Sequence, residues 1–333
     1  MADRISDKLF MSKGRAVEKQ EAAPADESLC PEYVPTQKYV LITPAHNEES
    51  YIEKCIGSVI SQTLLPAEWI IVSDRSSDNT DKIVERYAAE YHFIKLVKLP
   101  PGQGRDFASK VIAFKAGYMA LSVRDYGYVG NLDADVSFAP DYYERVIKRF
   151  KIEKKLGIAG GVILELVGKK FRKQISGLNS IAGAVQLFRR ECFEDIGGFV
   201  PIRFGGEDSV AETMARMKGW EVKAFHALGI HHHRRVSGSA GLLKARFKSG
   251  IMHYQLGYHP LFQLASTFYR LIERPFIVGS LLTLFGYLWA SIKRFDKPVS
   301  GTFAQYTAAE QLSRLRPRVL LPKIFRENTN NGI

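Results

Sequence analysis

Asp133 and Asp135 close the apolar run Tyr128-Val129-Gly130-Asn131-Leu132, one residue apart, and form the clearest chemical signal in the chain. The run reads as a buried strand. Side chains alternate along an extended backbone, but the chain turns at a strand's end, so both carboxylates can aim at one point. Two hard oxygen ligands at a sheet edge suit Mg²⁺ or Mn²⁺ held jointly with a substrate's phosphates. Asp also opens turns for structural reasons alone, so the pair needs company.

Further candidates lie along the chain. In RFGGEDSVAETM, Gly205-Gly206 let the backbone pass close to a ligand and bring Glu207 and Asp208 to a helix N-terminus. The helix dipole favours acids there, so capping accounts for them as well as catalysis does. Asp74 ends a second apolar run, where it can meet a base or sugar edge, and Asp78 is placed to cap the following helix. His231-His232-His233-Arg234-Arg235 offers one further ligand to an ion on Asp135 and two guanidiniums for a diphosphate, or a plain solvated basic loop. Gly102-Gln-Gly104 lacks the third glycine of a dinucleotide fingerprint, and no P-loop, GxSxG elbow or Cys-His pair stands out.

The elements that must position these groups follow from periodicity. KYVLITPA, EWIIVSD, HFIKLVKL and YGYVGNL read as strands, separated by helical spacing in EESYIEKCIGSVISQ, DKIVERYAAEY and FASKVIAFKAGYMALSV. Such alternation argues for an α/β fold with a mostly parallel central sheet and helices on both faces, ligands binding at the strands' carboxyl ends. Later, LGIAGGVILEL reads as a strand, and IAGAVQLFRRECFEDIGGF as a helix stopped by Gly197-Gly198. GGEDSVAETMARMKGW reads as a helix, and EVKAFHALGIHHHRR as a strand running into the histidines.

The domain expectation is a polar tail over residues 1–37, a catalytic domain over 38–240 and a membrane-associated region over 241–333. Leu261, Leu264, Ala265, Phe268 and Leu271 share one helical face. Phe276–Ile292 is a run of 17 uncharged residues, about 25 Å as a helix against a bilayer core of about 30 Å. A span, a re-entrant segment and an in-plane helix all fit, with Tyr287 and Trp289 at the interface. The net charge of +12 implies an anionic partner: a phosphate-bearing substrate, an acidic membrane or nucleic acid. Three scattered cysteines give no disulfide framework or zinc spacing, and the N-terminus lacks a signal peptide's apolar core.

TPAHNEESYIEKCIGSVISQT, IIVSDRSSDNTDKIVERYA, NLDADV, LFRRECFEDIGGF and GGEDSVAETMARMKGWEV, in that order, resemble the family 2 glycosyltransferases over about residues 38–235. That resemblance implies an inverting enzyme with the GT-A nucleotide-sugar fold. It implies that Pro44, His46 and Glu48 line the nucleoside pocket, that Asp74 binds the base, and that Asp133 and Asp135 are the DXD pair on Mg²⁺ or Mn²⁺. His232 is the expected third ligand, and Asp208 the implied catalytic base. His46 stands where a tyrosine is usual, leaving stacking to an imidazole, and Lys115 where an asparagine often precedes Ala-Gly.

The expected partners are a nucleotide-sugar donor, a saccharide or lipid-linked acceptor, an anionic membrane surface and other polysaccharide-assembly proteins, but not nucleic acid. The expected location is the cytoplasmic face of the cell membrane. Two rivals stand: a sugar-1-phosphate nucleotidyltransferase, which wants a basic Gly-rich loop where this chain has Pro-Ala-His-Asn-Glu, and a non-catalytic scaffold, against which Asp133, Asp135 and Asp208 speak.

Overall fold

The computed structural model describes residues 37–101, 108–167, 170–173, 180–234, 239–272 and 277–315. Most of the N-terminal tail, Gly102 and Gly104, half of residues 165–180, Arg235, Phe276 and the tail from residue 316 lie outside them. The described residues belong to one compact unit.

Strand β1 (Tyr39–Ala45) pairs in parallel with β2 (Glu68–Ser73) and β4 (Tyr128–Asn131), and β2 with β3 (Ile94–Lys98). A central parallel strand is covered on both faces, which is why it reads as an unbroken apolar run. The period of two then splits its residues. Tyr39 and Leu41 join Trp69 and Ile71 in a core under α1 (Ile52–Ile60) and α2 (Thr80–Glu90). Val40 and Ile42 join Ile70 and Val72 under α3 (Ala108–Ala120) on the other face. The expected alternation of strands and helices is therefore present over this half.

The second half is mixed. The elements are β5 (Val136–Phe138), α4 (Tyr142–Ile152), β6 (Leu156–Val167), β7 (Lys170–Lys173), β8 (Leu187–Arg189), α5 (Arg190–Asp195), α6 (Glu207–Met217) and β9 (Glu221–His232). Among the described residues the sheet runs β3-β2-β1-β4-β8-β6-β9-β5, with β7 on β6. Strand β8 is antiparallel to both β4 and β6.

Here one expectation fails. The segment from Ile181 to Phe199 is not one helix but a 3-10 turn (Gly183–Val185), β8 and the short α5. Leu187 belongs to one core and Phe188 to the other, a period of two that no helix face satisfies. Arg189 is buried, its Nε donating to the Leu156 carbonyl at 3.0 Å. The expected stop is found: Gly197 and Gly198 take φ of 69° and 74° after α5.

Beyond the sheet lie α7 (Ser239–Gln255), α8 (Pro260–Tyr269), α9 (Val278–Ile292) and α10 (Gly301–Arg314). Phe303 of α10 joins Ile202, Val210 and Leu256 in a small apolar cluster, and Glu310 Oε1 meets Arg216 Nε of α6 at 3.2 Å. Helix α9 lies hard against α7: a Cβ on Gly286 would fall 2.1 Å from the Phe247 carbonyl oxygen. Its other face is bare, with Leu281, Phe285, Leu288 and Ile292 between 47% and 76% exposed.

The run expected to reach the bilayer is thus a helix of 15 residues, about 22 Å long. Among the described residues no helix is long and apolar enough to cross a membrane. Tyr287, expected at an interface, points inward and donates to the Tyr258 carbonyl at 2.8 Å. On α8, Leu261, Leu264 and Phe268 form a second exposed stripe.

Candidate active site

A crevice of about 440 Å³ opens at the carboxyl ends of β1, β2 and β4. Pro44, His46, Glu48, Asp74, Asp133 and Asp135 all line it, so the sheet brings together the expected donor-side residues from three separate segments. Lys110 and Arg234 complete its polar wall.

The loops after β1 and β2 are bent tightly to do this. Asn47 and Arg75 take φ of 54° and 58°, a region costly for residues with a Cβ. Side chains compensate. Asn47 Oδ1 accepts from the Ser77 amide at 2.8 Å, and Arg75 Nε donates to Asp74 Oδ1 at 2.8 Å. Asp78, the expected cap, accepts from the Thr80 amide at 3.0 Å and also from the Glu49 amide at 3.0 Å, tying one loop to the other. His46 Nδ1 lies 2.6 Å from the Asp74 carbonyl, which only accepts, so that nitrogen carries the proton.

The carboxylates of Asp133 and Asp135 have different neighbours. Asp135 is 6% exposed, and its Oδ2 faces Arg234 Nε at 2.7 Å and His232 Nε2 at 3.3 Å. Burial works against its charge, but these two groups outweigh burial and hold its pKa at about 2. Asp133 is paired instead with Lys110, whose Nζ lies 2.7 Å from Oδ1. Burial lifts Glu48 to about 7; Arg234 opposes the rise and Asp135 and Asp133 add to it.

The three histidines diverge. His231 packs edge-on against Phe171, His233 Nε2 lies 2.7 Å from Ser137 Oγ while its amide donates to the Asp135 carbonyl at 2.9 Å, and of the three imidazoles His232 is the one that meets the Asp135 carboxylate.

Among the described residues no three His, Cys, Asp or Glu side chains already stand as a metal cage. The donor set nevertheless fits a hard divalent cation. Asp135 Oδ1 is buried with no hydrogen-bond partner, and Mg²⁺-type sites draw on one or two carboxylates plus substrate phosphates.

Gly205 and Gly206 take φ of 88° and 97° and deliver Glu207 and Asp208 to the first turn of α6. Asp208 Oδ1 accepts the Ser209 amide at 2.7 Å, which is cap-like. Its Oδ2 leaves the helix and accepts the Gly183 amide at 3.1 Å, which capping does not require. Lys110 joins the two acidic pairs: its Nζ is also 4.0 Å from Glu207 Oε1. One turn along α6, Glu212 is 2% exposed, and its Oε1 accepts from the Ile181 amide at 2.7 Å and Gln186 Nε2 at 3.2 Å. Burial pushes Glu212 up to about 7.

Lys110, Gly183 and Glu212 escaped the sequence reading. For Lys110 a signal existed: it precedes the buried Ala113 and Phe114 by three and four residues, which sets an ammonium on the helix's buried face. Gly183 had none, because its role depends on a turn taken for helix.

The family model for glycosyl transferase family 2 matches residues 40–244, and the chain belongs to that family. It is 29% identical over 113 residues to the chondroitin synthase of Pasteurella multocida (strain Pm70), covering 34% of this chain and 11% of that protein. To the poly-beta-1,6-N-acetyl-D-glucosamine synthase of Staphylococcus epidermidis it is 27% identical over 199 residues, covering 54% and 44%. The chain thus spans less than half the length of these relatives. Among solved structures, a mannosyltransferase from Pyrobaculum calidifontis in complex with GDP-Man and Mn²⁺ superposes with a TM-score of 0.53 at 18% identity, covering 86% of this chain and 84% of that one. GalNAc-T7 with UDP, GalNAc and Mn²⁺ gives 0.50 at 16%, covering 60% and 44%. These two likenesses establish the fold, mixed α/β of the GT-A type.

Proposed function

We propose that the chain is a metal-dependent inverting glycosyltransferase, moving a sugar from a nucleoside-diphosphate sugar to a hydroxyl of a saccharide or lipid-linked acceptor in cell-surface polysaccharide or glycolipid synthesis. The observation that supports this is Lys110, bonded to Asp133 and 4.0 Å from Glu207: it lines both the crevice of Asp133 and Asp135 and the adjoining pocket of Glu207 and Asp208.

In this reading Pro44, His46, Glu48 and Asp74 receive the nucleoside, and Asp133, Asp135 and His232 hold Mg²⁺ or Mn²⁺. The cation, when bound, neutralises charge on the diphosphate leaving group. Asp208 takes the proton of the acceptor hydroxyl as its oxygen attacks the anomeric carbon from the face opposite the diphosphate. The anomeric C–O bond to the diphosphate breaks as the new one forms, so one displacement inverts the centre. Asp208 is fitted to this role by the two amides that fix its carboxylate, Gly183 and Ser209.

The reading extends to location, the cytoplasmic face of the membrane, with the chain lying on the bilayer. Its support is the bare apolar stripe of α9 beside Lys293 and Arg294, an arrangement suited to an anionic lipid surface.

The test is incubation with UDP-, GDP- and dTDP-sugars, Mn²⁺ and saccharide or lipid-linked acceptors, with the nucleotide product identified. Release of a nucleoside diphosphate is expected. In a parallel incubation with a nucleoside triphosphate and a sugar 1-phosphate, release of pyrophosphate would instead indicate nucleotidyl transfer, and no turnover in either incubation would favour a scaffold.

A further inference from the structure

The side chain of Arg234 binds the carboxylate that a divalent cation would claim, on Oδ2, beside the unpartnered Oδ1. Its Nε donates to Asp135 Oδ2 at 2.7 Å, its Nη2 meets the Glu48 carboxylate, and its guanidinium lies 5.2 Å from the Tyr51 ring centroid. It thereby bridges the loop after β1 and the strand end after β4. Lys110 does the same for Asp133 at 2.7 Å. Each carboxylate of the DXD pair therefore carries a built-in cation.

The charges of the crevice make these contacts consequential. Its wall holds four carboxylates, Glu48, Asp74, Asp133 and Asp135, against Lys110 and Arg234, a formal charge of −2. A diphosphate entering that wall is repelled unless positive charge is added and a cationic side chain is turned toward it. A guanidinium on Oδ2 and a divalent cation on the unpartnered Oδ1 would repel each other across one carboxylate, so each weakens the other's hold on Asp135. A guanidinium, by contrast, matches a diphosphate as well as it matches a carboxylate, through paired N–H donors. Arg234 is half-exposed, so its head can move while Asp135 stays buried.

We infer that Arg234 is an exchange residue: it competes with the divalent cation for Asp135 and, once displaced, becomes a ligand of the donor's diphosphate. This rests on the donor-site reading above and adds to it a coupling. Cation and nucleotide bind together more tightly than either binds alone, because the cation frees the arginine that the diphosphate needs.

The coupling predicts opposite signs in one variant. In Arg234→Met, which keeps the stem and loses the charge, Mn²⁺ alone should bind the full chain about tenfold more tightly, since its competitor is gone. UDP or GDP at saturating Mn²⁺ should bind at least tenfold more weakly, since a phosphate ligand is gone. Arg234→Lys should recover part of the nucleotide affinity. Titration calorimetry gives both constants, and the spin signal of free Mn²⁺ gives the first independently. Affinities that fall together, rise together or stay unchanged in Arg234→Met, with an unaltered melting profile, would overturn the exchange. Asp135→Asn separates the two levels. If it leaves wild-type Mn²⁺ affinity intact, the metal assignment fails and the exchange with it; if it abolishes Mn²⁺ binding while Arg234→Met shows no opposed signs, the exchange alone fails.

Discussion

The Gly183 amide donates to Asp208 Oδ2 at 3.1 Å, so the turn before β8 decides where the acidic end of α6 is held. A Cβ at position 183 would sit 2.9 Å from that oxygen and 3.0 Å from the Asp208 Cβ. Gly183→Ala must therefore displace Asp208 or the turn. We expect turnover to fall by roughly tenfold or more, because misplacing a reacting group by a fraction of an ångström is costly, with nucleotide affinity nearly unchanged. Steady-state kinetics beside a nucleotide titration check it. Equal turnover in the alanine variant would show that Asp208 needs no such placement.

Asp135→Ala removes the buried carboxylate whose Oδ1 has no partner of its own. Nucleotide affinity should then become indifferent to Mn²⁺, while the melting temperature changes little because Arg234 retains Glu48. The check is a nucleotide titration with and without Mn²⁺. An undiminished Mn²⁺ effect would remove Asp135 from the metal site.

Glu212 gives the fold a pH dependence of definite sign. Its folded pKa is raised to about 7 from the ordinary 4.5, so the folded state holds the proton more tightly than the unfolded chain does. That stability is fully present below about 4.5 and drains away as pH rises through about 7, on the order of 3 kcal/mol in all. Glu212→Gln keeps an acceptor for the Ile181 amide and cannot ionise. Between pH 5 and pH 8 the wild type should lose stability relative to this variant in denaturant unfolding. Parallel curves would show that Glu212 does not change its charge over that range.

The bare stripe of α9 should carry membrane contact. Truncation is a poor test, because Phe303 and Glu310 of α10 pack against the core and against Arg216 of α6. Replacing Leu281, Phe285 and Leu288 with Glu leaves those contacts in place. The wild type should float with vesicles containing anionic lipid, more weakly at high salt, each basic residue at the surface contributing about 1 kcal/mol. The triple variant should remain unbound. Equal flotation of both would assign the contact elsewhere.

The first half of the fold was legible because β1, β2 and β4 are near-continuous apolar runs and α1 and α2 each bury one apolar stripe. Asp74, Asp133 and Asp135 were legible for the same reason: their strands end visibly. The segment around Leu187 was not. Three strand residues flanked by a 3-10 turn and a six-residue helix are too short to show a period, and their apolar content imitates a helix face. Everything depending on that turn, Gly183 and the anchoring of Glu212, was hidden with it. Val278–Ile292 was legible only in part. Its apolar character is shared between packing on α7 and a bare face, and Tyr287 turned out to serve the first.

The central claim is that Asp208 is the base of a glycosyl transfer whose donor is held by a separate part of the cleft. Asp208→Asn keeps size and can still accept the Gly183 or Ser209 amide, but it is no longer a base. Turnover and donor affinity, measured together on this variant with the accepted donor and Mn²⁺, test the claim most directly. The account predicts turnover lower by roughly 10²–10⁴-fold with donor affinity nearly unchanged. A variant that retained most of its turnover would contradict it.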